Sequence, residues 1–374
     1  MNTLSSQSRQ QERDKRILVI LTGGTIGSKI GSDAINVNPA AAYNLINLYN
    51  QSYGEDTDFE VIQPLNVLSE NMTPIRWNNL LNALREIDFT QYSGIVITHG
   101  SDTLSYSCAL LGMLYGGAGL PIGVVAANYA LEDARSNGLR NFRGAVSFIK
   151  NEGIPGVYAF YEDNKAVVQV YLATRLVEAD CYADQFMAYG GEPLGYMKDD
   201  RFVRNEQPYN PTVEQITCNR GRLDINVEFQ NDVLLIRSYP GLNYSFISLR
   251  ENRKPKAVLI ALYHSATSCV SEDGEGAYSL VQFAKRCRNE GIAVYASSFK
   301  STDMKFYASI QTFLDAGVVP MCNISTEAAY MKLMIAYNQS DMANIKKCET
   351  GDITDESVQK MLQENLFFEH LPEQ

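Results

Sequence analysis

Residues 18–27 read LVILTGGTIG, an apolar run that ends in two threonines around two glycines. Residues 94–103 read GIVITHGSDT and repeat the arrangement, with hydroxyl and carboxylate side chains beside a glycine. Short runs of Val, Ile and Leu that lead into a glycine turn are typical of buried strands in a parallel sheet. Since open α/β sheets carry their chemistry at the carboxyl ends of the strands, both turns are expected at one edge. The two stretches therefore predict a single site that contains Thr25, Ser101, Asp102 and Thr103.

The rest of the first half alternates short apolar runs with helical patterns. Strands are predicted at Ile17–Leu21, Phe59–Pro64, Gly94–Thr98, Ile122–Ala126 and Val157–Tyr161. Helices are predicted between them, at Pro39–Tyr49, Pro74–Ile87, Leu104–Tyr115 and Asn137–Lys150. This alternation indicates βαβ units around a parallel sheet.

The chain length and one polar segment predict two domains. A chain of 374 residues exceeds what one core usually holds. Charged residues and two prolines mark 198–221 as a linker. It would join an N-terminal α/β catalytic domain at 16–197 to a smaller C-terminal α/β domain at 222–374. Residues 1–15 are polar, without a signal peptide's apolar segment, and are predicted to be a disordered lead-in.

The C-terminal domain shows the same alternation on a smaller scale. Its strands are predicted at Val233–Ser238, Ala257–Tyr263 and Ile292–Ser297. Its helices are predicted at Glu275–Asn289, Lys305–Ala316 and Thr326–Tyr337, with a last helix that starts at Thr354.

Composition excludes several classes of function. Apolar residues make up 45% and charged residues 20%, as in soluble globular proteins. The net charge of −11 argues against general binding to nucleic acid or to anionic membranes. No uncharged apolar stretch reaches the length of a membrane span. Seven scattered cysteines without a C-x-x-C pair predict free thiols and a cytoplasmic protein.

The motifs also argue against a cofactor or a metal. The loop at 23–29 lacks the Gly-Lys-Ser/Thr ending of a P-loop and the Gly-x-Gly-x-x-Gly spacing of dinucleotide folds. Three histidines, widely spaced at His99, His264 and His370, give little support for zinc. We expect His99 to satisfy backbone groups near the strand end rather than to act as a base.

The hydroxyl turns have a simpler interpretation as helix caps. Threonine and serine beside glycines often cap helices, and Thr103 stands directly before the helical pattern that starts at Leu104. For either turn alone, capping would be the better explanation. Two such turns within one α/β half favour a site, and a pocket of hydroxyl groups is typical of hydroxyl-nucleophile catalysis.

Two motifs, Thr22-Gly23-Gly24-Thr25-Ile26 and His99-Gly100-Ser101-Asp102-Thr103, resemble the signatures of the bacterial-type L-asparaginase family. The second signature ordinarily reads His-Gly-Thr-Asp-Thr. Ser69–Met72 stands where the family has its substrate loop. Other segments resemble the cytoplasmic type I branch: Arg135–Asn141, Tyr239–Gly241 and the end of the chain, from Glu327–Ala328 to Gln363–Leu366. The resemblance spans nearly the whole chain. It implies a two-domain asparaginase-like fold, assembled as a homodimer or homotetramer with sites between subunits and with no cofactor.

The resemblance also implies roles for individual residues. Thr25 would attack the side-chain amide of L-asparagine, or of a related small amide, and release ammonia; water would then hydrolyse the acyl-enzyme. Ser101 would position water or relay a proton, and Asp102 would hold the substrate ammonium. Ser69 and Glu70 would bind the carboxylate and amine of the amino acid, and Gly100 would also contact the substrate. Because an alcohol is a weak nucleophile, such a site requires a base and an oxyanion hole.

Several positions depart from the family pattern. Ser101 replaces the second-signature threonine, and Arg175 takes the catalytic position of a lysine, although arginine stays protonated and cannot act as a base. The loop at 29–36 lacks the usual tyrosine, and Tyr263–Cys269 replaces a Gly-rich turn that contains asparagine.

These departures leave three alternatives open. The protein is an active amidohydrolase with altered proton transfer, an amino-acid-binding module that has lost amide hydrolysis, or an amidase for a modified or peptide-linked asparagine or glutamine.

Overall fold

The computed structural model describes residues 16–24, 26, 28–30, 35–37, 39–54, 56–218, 227–249, 254–300, 307–338 and 356–373. The chain forms two compact units. The first comprises Met1–Asp224 with Leu366–Phe368, and the second comprises Ile225–Asn365 with Glu369–Gln374. The predicted lead-in at 1–15 lies outside the described residues.

The first unit alternates strands and helices before it adds a run of strands. Its strands are β1 Ile17–Leu21, β2 Ser28–Ile30, β3 Ile35–Val37, β4 Phe59–Ile62, β5 Gly94–Thr98, β6 Pro121–Val125, β7 Gly156–Glu162, β8 Val168–Leu172, β9 Leu176–Asp180, β10 Gln185–Ala188, β11 Gly195–Lys198 and β12 Arg201–Arg204. Its helices are α1 Pro39–Tyr53, α2 Pro74–Arg85, α3 Leu104–Tyr115, α4 Gly138–Asn151 and α5 Val213–Thr217.

The main sheet of the first unit has the order β12-β11-β8-β7-β6-β5-β1-β4. The five strands from β7 to β4 run parallel, whereas β8, β11 and β12 extend the sheet with antiparallel pairs. Strand β1 lies between β4 and β5, so the sheet grows in opposite directions from it. This is a topological switch point, where open α/β sheets form a crevice at the carboxyl ends of the strands.

Continuous burial explains why these segments form central strands. Every residue of β1, β5, β6 and β7 is buried, as expected where helices cover both faces of a parallel sheet. Leu45 of α1 and Phe142 of α4 join Val19, Val96 and Phe160 in one core cluster. The predicted α/β class is thus confirmed, and β1, β5 and α3 have their predicted bounds.

The segment 198–221, predicted to be the linker between the domains, is folded within the first unit over its described residues, 198–218. Arg201–Arg204 is the edge strand of the main sheet, and Val213–Thr217 is a short helix that Thr212 opens with a capping box. The first unit therefore extends past Met197. The sequence looked like a linker because an edge strand is half exposed and carries many polar residues.

The second unit is a smaller parallel sheet with helices. Its strands, β13 Val233–Arg237, β14 Ala257–Ala261, β15 Ala293–Phe299 and β16 Val319–Cys322, lie in chain order. Its helices are α6 Leu280–Asn289, α7 Ala308–Asp315, α8 Thr326–Tyr337 and α9 Glu356–Gln363.

Two helix starts in the second unit bear on the predictions. Helix α6 begins later than predicted, because Gly274 and Glu275 have positive φ and belong to a separate 3-10 turn. The predicted start at Thr354 lies outside the described residues. Within the described ranges, no helix combines the length and apolar character needed to cross a membrane.

Candidate active site

Two buried threonines tie the carboxyl ends of β1 and β5 together. The Thr22 hydroxyl donates to the Thr98 carbonyl at 2.6 Å, and the Thr22 N–H donates to the Thr98 hydroxyl at 3.3 Å. Leu21 and Thr98 are register partners in the parallel pair. The turns that follow the two strands therefore start side by side.

Glycine allows the two turns to touch. Gly24 has φ +74°, and a Cβ there would lie 2.4 Å from the nitrogen and 2.6 Å from the Cα of Gly100. Gly23 has φ +101°, and its Cβ would lie 2.5 Å from the nitrogen of Val67. No other residue combines this backbone with these distances, because Cβ atoms essentially never approach other atoms so closely. The first and second motifs are thus in direct backbone contact.

The segment that follows β4 is the third turn at this place, beside the turns after β1 and β5. The Val67 N–H donates to Thr22 O at 3.0 Å, and the Gly24 N–H donates to Val67 O at 2.9 Å. Two residues later, the Ser69 hydroxyl lies 3.2 Å from both the carboxylate and the N–H of Asp102. Three turns that are distant in sequence therefore converge at the switch point of the sheet.

Thr103 links the same turns and does not cap helix α3. It occupies the N-cap position, but no capping hydrogen bond forms from its side chain. Its hydroxyl instead donates to the Ser69 carbonyl at 2.9 Å. The capping interpretation of this residue is wrong, because the turn after β4 offers a carbonyl acceptor that the sequence does not reveal.

The contact of Gly24 with Gly100 and the hydrogen bonds between Ser69 and Asp102 form one junction. The other predicted residues of the three turns lie in it or next to it in sequence. Gly100 and Ser69 are buried, Ser101 is half buried, and Glu70 and Asp102 are exposed. Neither the hydroxyl nor the N–H of Ser101 has a hydrogen-bond partner among the residues that the structure describes. Thr25 lies outside the described residues, although its sequence neighbour Gly24 contacts Gly100. The junction thus offers to a polar ligand the Asp102 carboxylate and the Ser101 donors, which have no partner within the described ranges.

His99 is buried beneath the second motif. Its ring Nδ1 lies 2.8 Å from the Gly100 carbonyl, which can only accept, so Nδ1 carries a proton. Its main-chain N–H donates to Val125 O at 2.8 Å. Burial lowers the pKa of His99 below its ordinary value, so the ring is neutral near pH 7. The ring serves backbone groups, as predicted.

Arg175 binds backbone carbonyls within the first unit. It ends the 3-10 turn Ala173–Arg175 and is 4% exposed. Its Nε donates to Phe368 O at 2.6 Å, and its Nη1 donates to Tyr209 O at 2.8 Å. These bonds are structural, and the catalytic role expected for Arg175 stays a prediction.

A loop after β6 supports the first motif, and sequence analysis assigned it no role. Asn128 and Asn137 exchange hydrogen bonds, each side-chain oxygen accepting from the other's main-chain N–H at 3.0 Å. A Cβ on the next residue, Gly138, would lie 3.2 Å from the Ile26 side chain. The hydrogen-bonded pair of Asn128 and Asn137 therefore positions the surface on which Ile26 packs. The signal was the segment Arg135–Asn141, which resembles the asparaginase pattern.

No metal centre is visible in the part of the chain that the structure describes, where no group of three His, Cys, Asp or Glu side chains could hold an ion. The six cysteines in the same ranges are free thiols.

Fold and site together define a two-unit α/β protein whose polar site lies at the switch point of a parallel sheet. The family model "Asparaginase, N-terminal" matches residues 16–209, more than half of the 374 residues. The chain belongs to the asparaginase family.

Comparison with curated proteins finds similarity to archaeal enzyme subunits. A glutamyl-tRNA(Gln) amidotransferase subunit from Saccharolobus islandicus is 24% identical, over 94% of this chain and 80% of its own length. The protein of the same name from Metallosphaera sedula is 24% identical, over 93% of this chain and 79% of its own length.

Among solved structures, the fold is similar to that of two L-asparaginases. The thermostable L-asparaginase from Thermococcus kodakarensis has a TM-score of 0.72 and 24% identity, covering 96% of this chain and 99% of that one. L-asparaginase I from Vibrio cholerae has a TM-score of 0.73 and 21% identity, with the same coverage. At such identities the similarity shows the fold.

Proposed function

We propose that this protein hydrolyses the side-chain amide of L-asparagine, or of a related small amide, through an acyl-enzyme on Thr25. One observation carries the proposal: the backbone contact between Gly24 and Gly100 joins the two motifs. The hydrogen bonds between Ser69 and Asp102 add the third turn to the same junction.

The chemistry would proceed in two steps. The Thr25 oxygen attacks the amide carbon, the hydroxyl proton passes to the amide nitrogen, and ammonia leaves. Water then attacks the ester, which releases the carboxylic acid and restores the threonine hydroxyl. Negative charge develops on the carbonyl oxygen in both steps and needs hydrogen-bond donors. The N–H and hydroxyl of Ser101, which have no partner among the described residues, are the donors that support this assignment.

Substrate recognition would follow from the charges at the junction. The exposed carboxylates of Asp102 and Glu70 suit the ammonium group of an amino acid. Ser69, held by Asp102 and Thr103, would orient the ligand beside Gly100. The family resemblance further supports a homodimer or homotetramer in the cytoplasm, with the chemistry in the N-terminal unit.

The archaeal relatives favour a second candidate. They are named as amidotransferase subunits and cover 93% to 94% of this chain. A protein of this kind would release ammonia from another amide, such as the side chain of free or peptide-linked glutamine, as one component of a larger assembly. The exposed positions of Glu70 and Asp102 leave room for a substrate larger than an amino acid.

Ammonia release from a panel of amides tests the proposal. The panel contains L-asparagine, L-glutamine and short peptides that carry either residue. Thr25→Ala should lower the rate on the best substrate by roughly 10⁴-fold or more, because the nucleophile is lost. Thr25→Ser, which keeps the hydroxyl, is the control and should retain part of the rate. Equal rates for the wild type and Thr25→Ala would reject the role of Thr25.

The same panel separates the alternatives. Release from free or peptide-linked glutamine, with little or none from L-asparagine, would favour the second candidate. Calorimetric binding of L-aspartate without product from any amide would identify a binding module instead.

A further inference from the structure

The ring of His99 fixes a peptide bond of the second motif. Its protonated Nδ1 donates to the Gly100 carbonyl at 2.8 Å, and His99 is 1% exposed. A trans peptide is planar, so its N–H points away from its own carbonyl. The bond that draws the Gly100 carbonyl towards the buried ring therefore turns the Ser101 N–H away from the ring. That N–H has no acceptor within the described residues.

Gly100 needs such a restraint. A Cβ there would lie 2.4 Å from the Ser69 hydroxyl oxygen, so the close approach of the two turns requires glycine. Glycine has the least restricted backbone of all residues, and without a contact its two flanking peptides rotate easily. The His99 imidazole restrains the rotation of these peptides through its hydrogen bond to the Gly100 carbonyl. In other residues, the side chain itself limits this rotation.

We propose that His99 is a positioning residue, which holds the Gly100–Ser101 peptide so that the Ser101 N–H faces the carbonyl oxygen of the amide substrate. The inference rests on the proposed function. His99 acts through the main chain and transfers no proton. Its Nε2 is buried and has no partner in the described part of the chain, so a proton arriving there would be left unpaired. Burial also lowers the pKa of His99.

Two substitutions separate Nδ1 from Nε2. In His99→Asn, the amide nitrogen stands near the place of Nδ1 and keeps the donor to Gly100. In His99→Gln, the donor moves towards the place of Nε2 and leaves the carbonyl free. Both variants remove ring volume, so they share the packing cost. Thermal unfolding of both variants measures that common loss.

The expected result is a difference in kcat between the two variants. His99→Gln should lower kcat by roughly 10- to 100-fold with a smaller effect on KM, since misplacing one group by an ångström costs about that much. His99→Asn should retain most of kcat and keep the shape of the wild-type pH profile. Equal losses in both variants would overturn the proposal. So would the loss, in both variants, of an ionisation that the wild-type pH profile shows, which would make His99 an acid or base.

A second measurement does not depend on turnover. Nitrogen-15 NMR of the labelled wild-type chain should show a neutral His99 with the proton on Nδ1. The Ser101 amide signal should shift on titration with L-aspartate, and the shift should survive in His99→Asn and vanish in His99→Gln. A proton on Nε2, or the same shift in all three proteins, would overturn the positioning role. If no amide is hydrolysed, the proposed function fails, and these spectra still decide the role of His99.

Discussion

At the residue scale, hydrogen-bond geometry distinguishes Arg175 from the lysine of the family pattern. Its guanidinium donates from two nitrogens to two carbonyls, those of Tyr209 and Phe368. A lysine is a single point charge and cannot span both acceptors. We expect Arg175→Lys to lower the free energy of unfolding by about 1–3 kcal/mol, because a buried carbonyl loses its donor. Urea unfolding measures the change.

Ammonia release from the same preparation decides whether Arg175 limits catalysis. A structural role predicts no gain in rate for Arg175→Lys. Unchanged stability together with a marked rise in ammonia release would show instead that the arginine blocks an activation step that lysine restores.

At the element scale, the approach of two turns depends on the absence of one Cβ. Gly24→Ala would place a methyl group 2.4 Å from Gly100 N, so the turns after β1 and β5 must separate. Gly119→Ala is a matched control, since Gly119 also has positive φ and no atom lies within 4 Å of its Cβ position. In each variant the left-handed backbone conformation of the alanine costs about 1–2 kcal/mol of stability.

The two variants share the free energy cost of the left-handed backbone, so the difference expected between them is in amide hydrolysis. Gly24→Ala should lose nearly all amide hydrolysis, whereas Gly119→Ala should keep it. Steady-state ammonia release, compared at matched folded fraction from circular dichroism, measures the difference. Full activity of Gly24→Ala would contradict a site built on this contact.

At the scale of the whole molecule, residues near the chain end complete the first unit. Phe367 belongs to the core cluster of that unit and is 1% exposed. Its carbonyl accepts from the Thr174 hydroxyl at 2.7 Å. Phe367→Ala should lower the free energy of unfolding by about 3–5 kcal/mol through lost burial and a cavity. Phe246→Ala, at a side chain 85% exposed, is the control and should change stability by less than about 0.5 kcal/mol.

Urea unfolding of the two phenylalanine variants provides the test. Equal midpoints would mean that the segment Leu366–Phe368 contributes nothing to the stability of the first unit.

The second unit should lose stability in mild acid because of a buried cluster. His370 Nε2 accepts from Lys332 at 2.8 Å, and Lys332 also pairs with Glu369 at 2.8 Å. Burial, and then the charge of Lys332, lower the pKa of His370 below its ordinary value near 6.5. As the pH falls through about 6.5, the His370 imidazole binds a proton in the unfolded protein before it does so in the folded protein. The free energy of unfolding should therefore fall with the pH below about 6.5.

Urea unfolding between about pH 8 and about pH 5 measures this loss. His370→Asn keeps a donor for the Cys322 carbonyl and removes the titrating ring, so its stability should depend less on pH. The same slope in both proteins would assign the acid sensitivity to other groups.

Local sequence patterns are enough to predict the central α/β frame. The predicted bounds of β1, β5 and α3 equal the observed ones, because continuous apolar runs and glycine turns are local signals. The paired motifs around Gly24 and Gly100 also indicated the asparaginase family, which the family model confirms. Local patterns carry this information since each strand or turn depends mainly on its own residues.

Contacts between distant residues depend instead on how the whole chain packs. The contact of Gly24 with Gly100, the link from Ser69 to Asp102 and the carbonyls bound by Arg175 join segments far apart in the chain. The antiparallel strands β8, β11 and β12 likewise depend on pairing partners rather than on their own pattern. Such distances come from the packing of the whole sheet, and no local stretch of sequence encodes them.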